Sequence, residues 1–266
     1  SLTTNTNGVV RLGGNVATTG AQTYDDAIVL TNNVVLSGTD ITLTRTINSD
    51  GTVRALTVTG SGVTTFGGAI GAGVAGDALA SLTVNGAGTT LLNAGAVTTV
   101  GAQTFGNAVT LGVNTALVTT LNGNSSVTFG STLNSSEALS RLSTPAPAAL
   151  TITAGSGAVT FTGILGGASY TSTTPTTTGA VGAVTVNSSG LTKFGSSVSA
   201  ASVTTNAGGS VELFGNVTTT GGAQTYNDAV TLKNDMVVTG STVSFLAAVT
   251  GETHALTITG DAVLGN

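Results

Sequence analysis

The sequence predicts an all-β fold: a parallel β-helix, a solenoid of about three short strands per coil, with loops inserted between some strands. Three observations predict it. An eleven-residue phrase, Gly20-Ala21-Gln22-Thr23-Tyr24-Asp25-Asp26-Ala27-Ile28-Val29-Leu30, returns from Gly101 to Leu111 and from Gly222 to Leu232. Apolar residues alternate with polar ones at period two, the period of a strand. Turn residues such as Gly13-Gly14-Asn15, Asp25-Asp26, Asn32-Asn33 and Gly38-Thr39-Asp40 separate these short runs. Glycine tolerates positive φ, and Asn or Asp bonds its own backbone, so each cluster turns the chain.

The elements follow in order. Val10/Leu12, Val16, Ile28/Leu30, Val34/Leu36 and Ile41/Leu43 mark the first short strands. Strands this short make poor hairpins, but they wind into coils of roughly 19–21 residues that stack at about 4.8 Å. A second phrase, Leu56-Thr57-Val58-Thr59-Gly60, recurs at Leu82, Leu150, Val184 and Leu256. Its Leu, Val and Ile point inward and its Thr and Asn outward.

The phrase does not recur at one spacing. It is 26 residues from Leu56 to Leu82 and 34 from Leu150 to Val184. The excess is expected to leave the coil as loops at 48–54, 71–81, 135–149 and 169–181. Pro145, Pro147 and Pro175 all fall in the last two, as a residue without a ladder N–H should. Ser136 to Leu142 reads as one short helical turn capped by Ser136. From Val211 to Gly221 the chain restates Val10 to Gly20. The whole of 1–266 therefore reads as a single solenoid segment of about eleven to thirteen coils, a rod roughly 50–60 Å long.

Composition narrows the function. Charged residues make up 6 % and aromatics 4 %, with no Cys and no Trp. No apolar run is long enough for a membrane-spanning helix. Abundant Val, Ile and Thr argue against disorder. The net charge of −5 and six scattered basic residues argue against a nucleic-acid partner. Without Cys there are no disulfides or thiolate metal sites. The chain starts at Ser1 without a signal peptide and stops in mid-pattern at Asn266, so both ends read as cuts in a longer chain.

The Gly-Ala-Gln-Thr-Tyr-Asn-Asp-Ala-Val-Thr-Leu phrase, the Leu-Thr-Val-Thr-Gly phrases and the Gly-Asn-Val-Thr-Thr-Thr run from Gly215 to Thr220 resemble repeats of large bacterial surface proteins. These are the filamentous-haemagglutinin-like exoproteins and related giant repeat adhesins. The resemblance spans nearly the whole chain. It implies a right-handed β-helix, export to the surface of a Gram-negative bacterium, and a role in adhesion, aggregation or biofilm. The implied partners are a host or neighbouring-cell surface, a glycan or a matrix polymer.

Chemistry is sparse. Some β-helices cleave polysaccharides with clustered carboxylates. Asp25-Asp26 is the densest acidic pair, but its repeat partners Gly106-Asn107 and Asn227-Asp228 mark a turn. Asp40, Asp50, Asp77, Asp235 and Asp261 stand apart, short of the six to eight oxygens calcium takes. His254 lacks a co-ligand. No catalytic residue, metal or cofactor is expected. Thr57/Thr59, Thr151/Thr153 and Thr257/Thr259 resemble the ice-binding faces of other solenoids, but their irregular sequence spacing weighs against a regular array. Tyr24, Phe105 and Tyr226 share one repeat position, and Phe66, Phe161 and Phe194 another; both sets read as internal aromatic stacks. Partner contact is assigned to the insertion around Pro175, at Thr171, Thr173, Thr174, Pro175, Thr176 and Thr177. The expected function is a non-catalytic extracellular stalk or adhesin segment. The alternatives are a fibre or surface-layer subunit stacking head to tail, and a polysaccharide-binding or -degrading β-helix.

Overall fold

The structure, a computed structural model, describes residues 1–6, 8–73, 76–121, 124–136, 146–167 and 179–265. The described residues hold thirty strands and no helix, and every strand pairing is parallel. The chain winds a β-solenoid of about 12 coils with three faces. The expected fold class holds.

The opening coils set the pattern. Leu2–Thr3 lies on the first face, Val9–Leu12 on the second and Val16–Ala17 on the third. The next coil repeats this with Gln22–Tyr24, Ala27–Leu30 and Val34–Gly38. The third face is one eleven-stranded sheet, ending at Val249–Thr250. The first face is seven-stranded as far as Leu133–Ser135, then continues through a single bridge at Leu165 to Val198. The second crosses a similar bridge at Ile70. Long strands such as Met236–Phe245 and Leu256–Leu264 cover the first and second faces in turn, with a register shift at the corner.

Alternation makes the core. In Leu82, Val84, Phe105, Val127 and Phe129 the inward residues are at most 1 % exposed, while Thr83, Thr104 and Thr128 between them face out. Each fully buried Val, Leu or Phe contributes roughly 1.5–3 kcal/mol, repeated coil after coil along one narrow core.

The irregular phrase spacing resolves as expected. Leu56 lies beside Leu82 and Leu150 beside Val184 on successive coils, although the pairs are 26 and 34 positions apart in sequence. The loop boundaries need correction. Ile47–Ser49 is strand, and Ser49 is buried with its Oγ donating to the Ala78 carbonyl at 2.8 Å, so the first insertion is 50–54. Within 71–81, Leu79 is fully buried and bridged to Thr99, and Ser81 opens a strand, because Leu79 fills an inward position of the coil. Ser135 closes a strand and Val181 opens one, while Ala148 packs in the core. The connection from Val118 to Val127 is longer than that from Thr98 to Gln103 one coil earlier, a further insertion that the sequence did not mark. The Ser136–Leu142 turn lies outside the described residues beyond Ser136, whose N–H bonds the Leu111 carbonyl at 2.8 Å.

Insertions are not spread evenly round the rod. The connections from Ser49 to Ala55, from Ile70 to Ser81 and from Val118 to Val127 all join the second face to the third. Longer connections also join Ser135 to Leu150 and Leu165 to Val181, between the first and second faces. The corner between the third and first faces carries short turns, such as 39–40, 61–62 and 86–88.

Candidate functional surfaces

The three copies of the eleven-residue phrase build one buried device on three different faces. Gln22 lies on the first face, Gln103 on the third and Gln224 on the second, all fully buried. In each, the amide nitrogen reaches back to the strand before it and across to the next coil. Gln22 Nε2 donates to the carbonyls of Val16 (3.3 Å) and Ser37 (2.7 Å) and to Thr18 Oγ1 (3.2 Å). Gln103 Nε2 meets Val97, Thr99 and Val118 at 3.1, 3.2 and 3.0 Å. Gln224 Nε2 meets Val217, Thr219 and Thr239 at 3.3, 3.4 and 2.8 Å. The amide thus ties two coils together at the corner where strand hydrogen bonds stop.

The other end of the amide differs. Tyr24 Oη donates to Gln22 Oε1 at 2.9 Å, and Tyr226 Oη to Gln224 Oε1 at 2.9 Å. The second copy has Phe105, and Gln103 Oε1 is buried without a partner. Burial pushes the Tyr24 phenol up to about 12, and Tyr226 rises for the same reason. Sequence reading found the repeat but not this clasp; a Gln two residues before an inward Tyr was its signal.

The aromatic expectation needs correction. The rings are internal, and Phe161 and Phe194 stack as expected, but Tyr24, Phe105 and Tyr226 do not stack on one another, because their copies occupy different faces. Phe105 stacks on Phe129, Phe129 on Phe161 and Phe161 on Phe194, with centroids 5.1–5.3 Å apart. Tyr226 stacks on Phe245 at 5.0 Å. Phe66 lies on the first face, away from Phe161 and Phe194.

The acidic candidates serve the backbone. Asp26 Oδ1 accepts from Gly8 N at 2.6 Å, and Asp228 Oδ1 from Gly209 N at 2.7 Å, each clamping the preceding coil. Asn107 Oδ1 accepts from Thr90 Oγ1 at 2.7 Å. The opposite ends of Asn107 and Asp228, Nδ2 and Oδ2, are buried without partners. Asp40 accepts from Val63 N at 2.7 Å and Asp235 from Ala255 N at 2.9 Å, beside His254 at 3.5 Å. Arg54 pairs with Asp50 at 3.2 Å, and its hydrogen bond holds that carboxyl below the usual range. Among the described residues, no three His, Asp or Glu side chains gather as a metal ion requires.

Outward threonines are more regular than their sequence spacing. Thr57, Thr83, Thr104, Thr128 and Thr160 stand in register on five successive coils of the third face. The paired position breaks off, running Thr59, Asn85, Gly106, so the array is a single ladder. It leads into Lys193, Glu212 and Thr231. There Lys193 Nζ lies 4.5 Å from the centre of the Phe214 ring, and Lys233 Nζ lies 3.5 Å from Glu212 Oε1. Phe214 is the one partly exposed aromatic among the described residues; every other is at most 1 % exposed. A shallow groove of about 360 Å³ runs along the third-to-first corner at the other end, floored by Gly38, Gly60 and Gly86 and edged by Thr18, Thr39 and Ser61. The insertion at Thr171, Thr173, Thr174, Pro175, Thr176 and Thr177 lies outside the described residues.

Comparison with family models, with curated proteins and with solved structures gives no match. The functional reading rests on sequence and geometry.

Proposed function

We propose that this chain is a non-catalytic extracellular stalk segment of a surface adhesin, one that spaces a binding surface from a cell. One observation carries the reading: a single narrow core, walled on three faces by parallel strands, runs the length of the rod, about 50 Å. Such a solenoid gives reach and stiffness in proportion to its coils, because each coil binds only its neighbours. Low charge, absent Cys and short outward side chains leave a chemically inert shaft. The resemblance to giant repeat adhesins points the same way, to a Gram-negative cell surface.

The test is surface labelling. Antibodies raised against the purified chain should label intact cells of the source organism, and protease shaving should remove the signal. Labelling only after permeabilisation would overturn the reading. Reducing ends released from polysaccharides by the purified chain would overturn its non-catalytic part.

A second reading, head-to-tail assembly, rests on the coil itself: every strand among the described residues pairs in parallel with the coil above or below, and a second copy continuing those ladders would extend the rod. Sedimentation velocity separates the readings: fibres growing with concentration favour assembly, and a monomer favours the stalk.

A further inference from the structure

We propose that Phe214, Lys193, Lys233 and Glu212 form a lateral binding site for a carboxylated polysaccharide laid along the rod. The four side chains come from three successive coils of the third face. Lys193 and Glu212 are partners in register, and the Lys233 backbone N–H bonds the Leu213 carbonyl one coil below. The two ammonium groups therefore sit on coils about 10 Å apart along the axis, with Glu212 and the ring between them.

Phe214 stands where a turn needs no ring. Its counterpart in the first restatement of this stretch is Gly13, and the following corner residue one coil below is Gly195. Gly195 leaves the space beside the ring open, and the three-residue turn to Val217 adds no insertion to cover it. A single exposed apolar residue is ordinary on a surface. Here it coincides with two of the five Lys and Arg residues among those described, and with one carboxylate. Arg54 is tied to Asp50, and Arg45 donates to the Asp25 carbonyl at 2.9 Å. The patch carries one net positive charge in a chain of net −5.

This chemistry fits a uronate polymer. A sugar presents an apolar C–H face to an aromatic ring and carboxylates to lysines. Glu212 accepts from sugar hydroxyls, and Thr160 and Thr231 extend the hydroxyl-lined track above and below. A phosphate polymer fits less well, because Glu212 repels it and two cations release few counterions. The site deepens the stalk reading by giving the shaft a contact of its own. It rests on that reading only for the biological setting; binding by the purified chain can fail while surface labelling succeeds, and the reverse.

The test is titration of purified chain with oligogalacturonate, with neutral dextran and oligo(dT) as comparators. Wild type should bind the uronate in preference to both and lose affinity as salt rises. K193Q/K233Q, which keeps side-chain bulk, should weaken binding by about tenfold or more. F214A should weaken it separately, and Arg45→Gln should leave it unchanged. Circular dichroism checks that each variant keeps the fold; should F214A unfold, the double lysine variant decides. No uronate binding by wild type, equal binding to dextran or oligo(dT), or an equal loss in Arg45→Gln would each overturn the site.

Discussion

The clasps at Gln22 and Gln224 close at both ends, while the one at Gln103 closes at one. All three amide nitrogens make the same three contacts, yet only Tyr24 and Tyr226 reach the amide oxygen. Losing a partner leaves a buried acceptor, which costs about 1–3 kcal/mol. The middle clasp has an offset. Phe105 begins a four-ring stack through Phe129, Phe161 and Phe194, where each pair adds roughly 0.5–1.5 kcal/mol beyond its burial. The same phrase thus holds coils together by a polar network in two places and by a hydrophobic column in the third. In a solenoid, stability is local, so the difference should be measurable coil by coil.

The largest expected effect comes from removing the amide. Gln224→Ala leaves the Val217 and Thr239 carbonyls short of a donor, orphans the Tyr226 phenol and opens a cavity. We expect about 4 kcal/mol of local destabilisation. Gln103→Ala should cost about 1 kcal/mol less, since its oxygen is already unpaired. Hydrogen-exchange protection of amides on the flanking coils measures both. Equal losses would mean that the phenols contribute nothing.

Exchanging the rings sharpens the same comparison. Tyr226→Phe should lower local protection by about 1–2 kcal/mol, and Phe105→Tyr should raise it by about 1 kcal/mol. A destabilising Phe105→Tyr would show that the stack leaves no room for the hydroxyl.

Alkali offers a test without mutation. Burial raises the Tyr24 phenol from near 10 to about 12. Below pH 10 both folded and unfolded chains keep the proton. Between pH 10 and about 12 only the unfolded chain releases it, so it binds fewer protons and stability falls as pH rises. The coils around Tyr24 and Tyr226 should lose exchange protection in that range, those around Phe105 should not, and Tyr226→Phe should remove the effect locally.

The smallest effect is expected outside the core. Breaking the partly exposed Lys233–Glu212 pair by Lys233→Ala should cost no more than about 1 kcal/mol. A larger loss would mean that this patch holds the coils together.

Much of the fold was legible because alternation and turn chemistry are local. Leu82-Thr83-Val84 declares its inward and outward residues by period two alone, and Pro147 marks a segment outside the ladder. The longer connection from Val118 to Val127 was not legible, since it contains neither proline nor a charged residue. Nor was the role of Leu79, an apolar residue in a Gly- and Ala-rich stretch that returns to the core as a single bridge. The patch around Phe214 was missed for another reason: Lys193, Phe214 and Lys233 are about twenty residues apart in sequence and meet only when coils stack.

By itself, the sequence determined the coil: strand, corner, strand, with apolar residues inward and Asn, Asp or Gly at the turns. Each of those choices depends on a few neighbouring residues. Only the tertiary structure decided which face each copy of the phrase occupies. The inward environment is alike on all three faces, so any of them accepts a buried Gln and an aromatic ring. The face is set by the number of strand positions that separate the copies, which the insertions obscure in the sequence. Which rings stack, which amide lacks its phenol and which lysines share an aromatic all follow from that count.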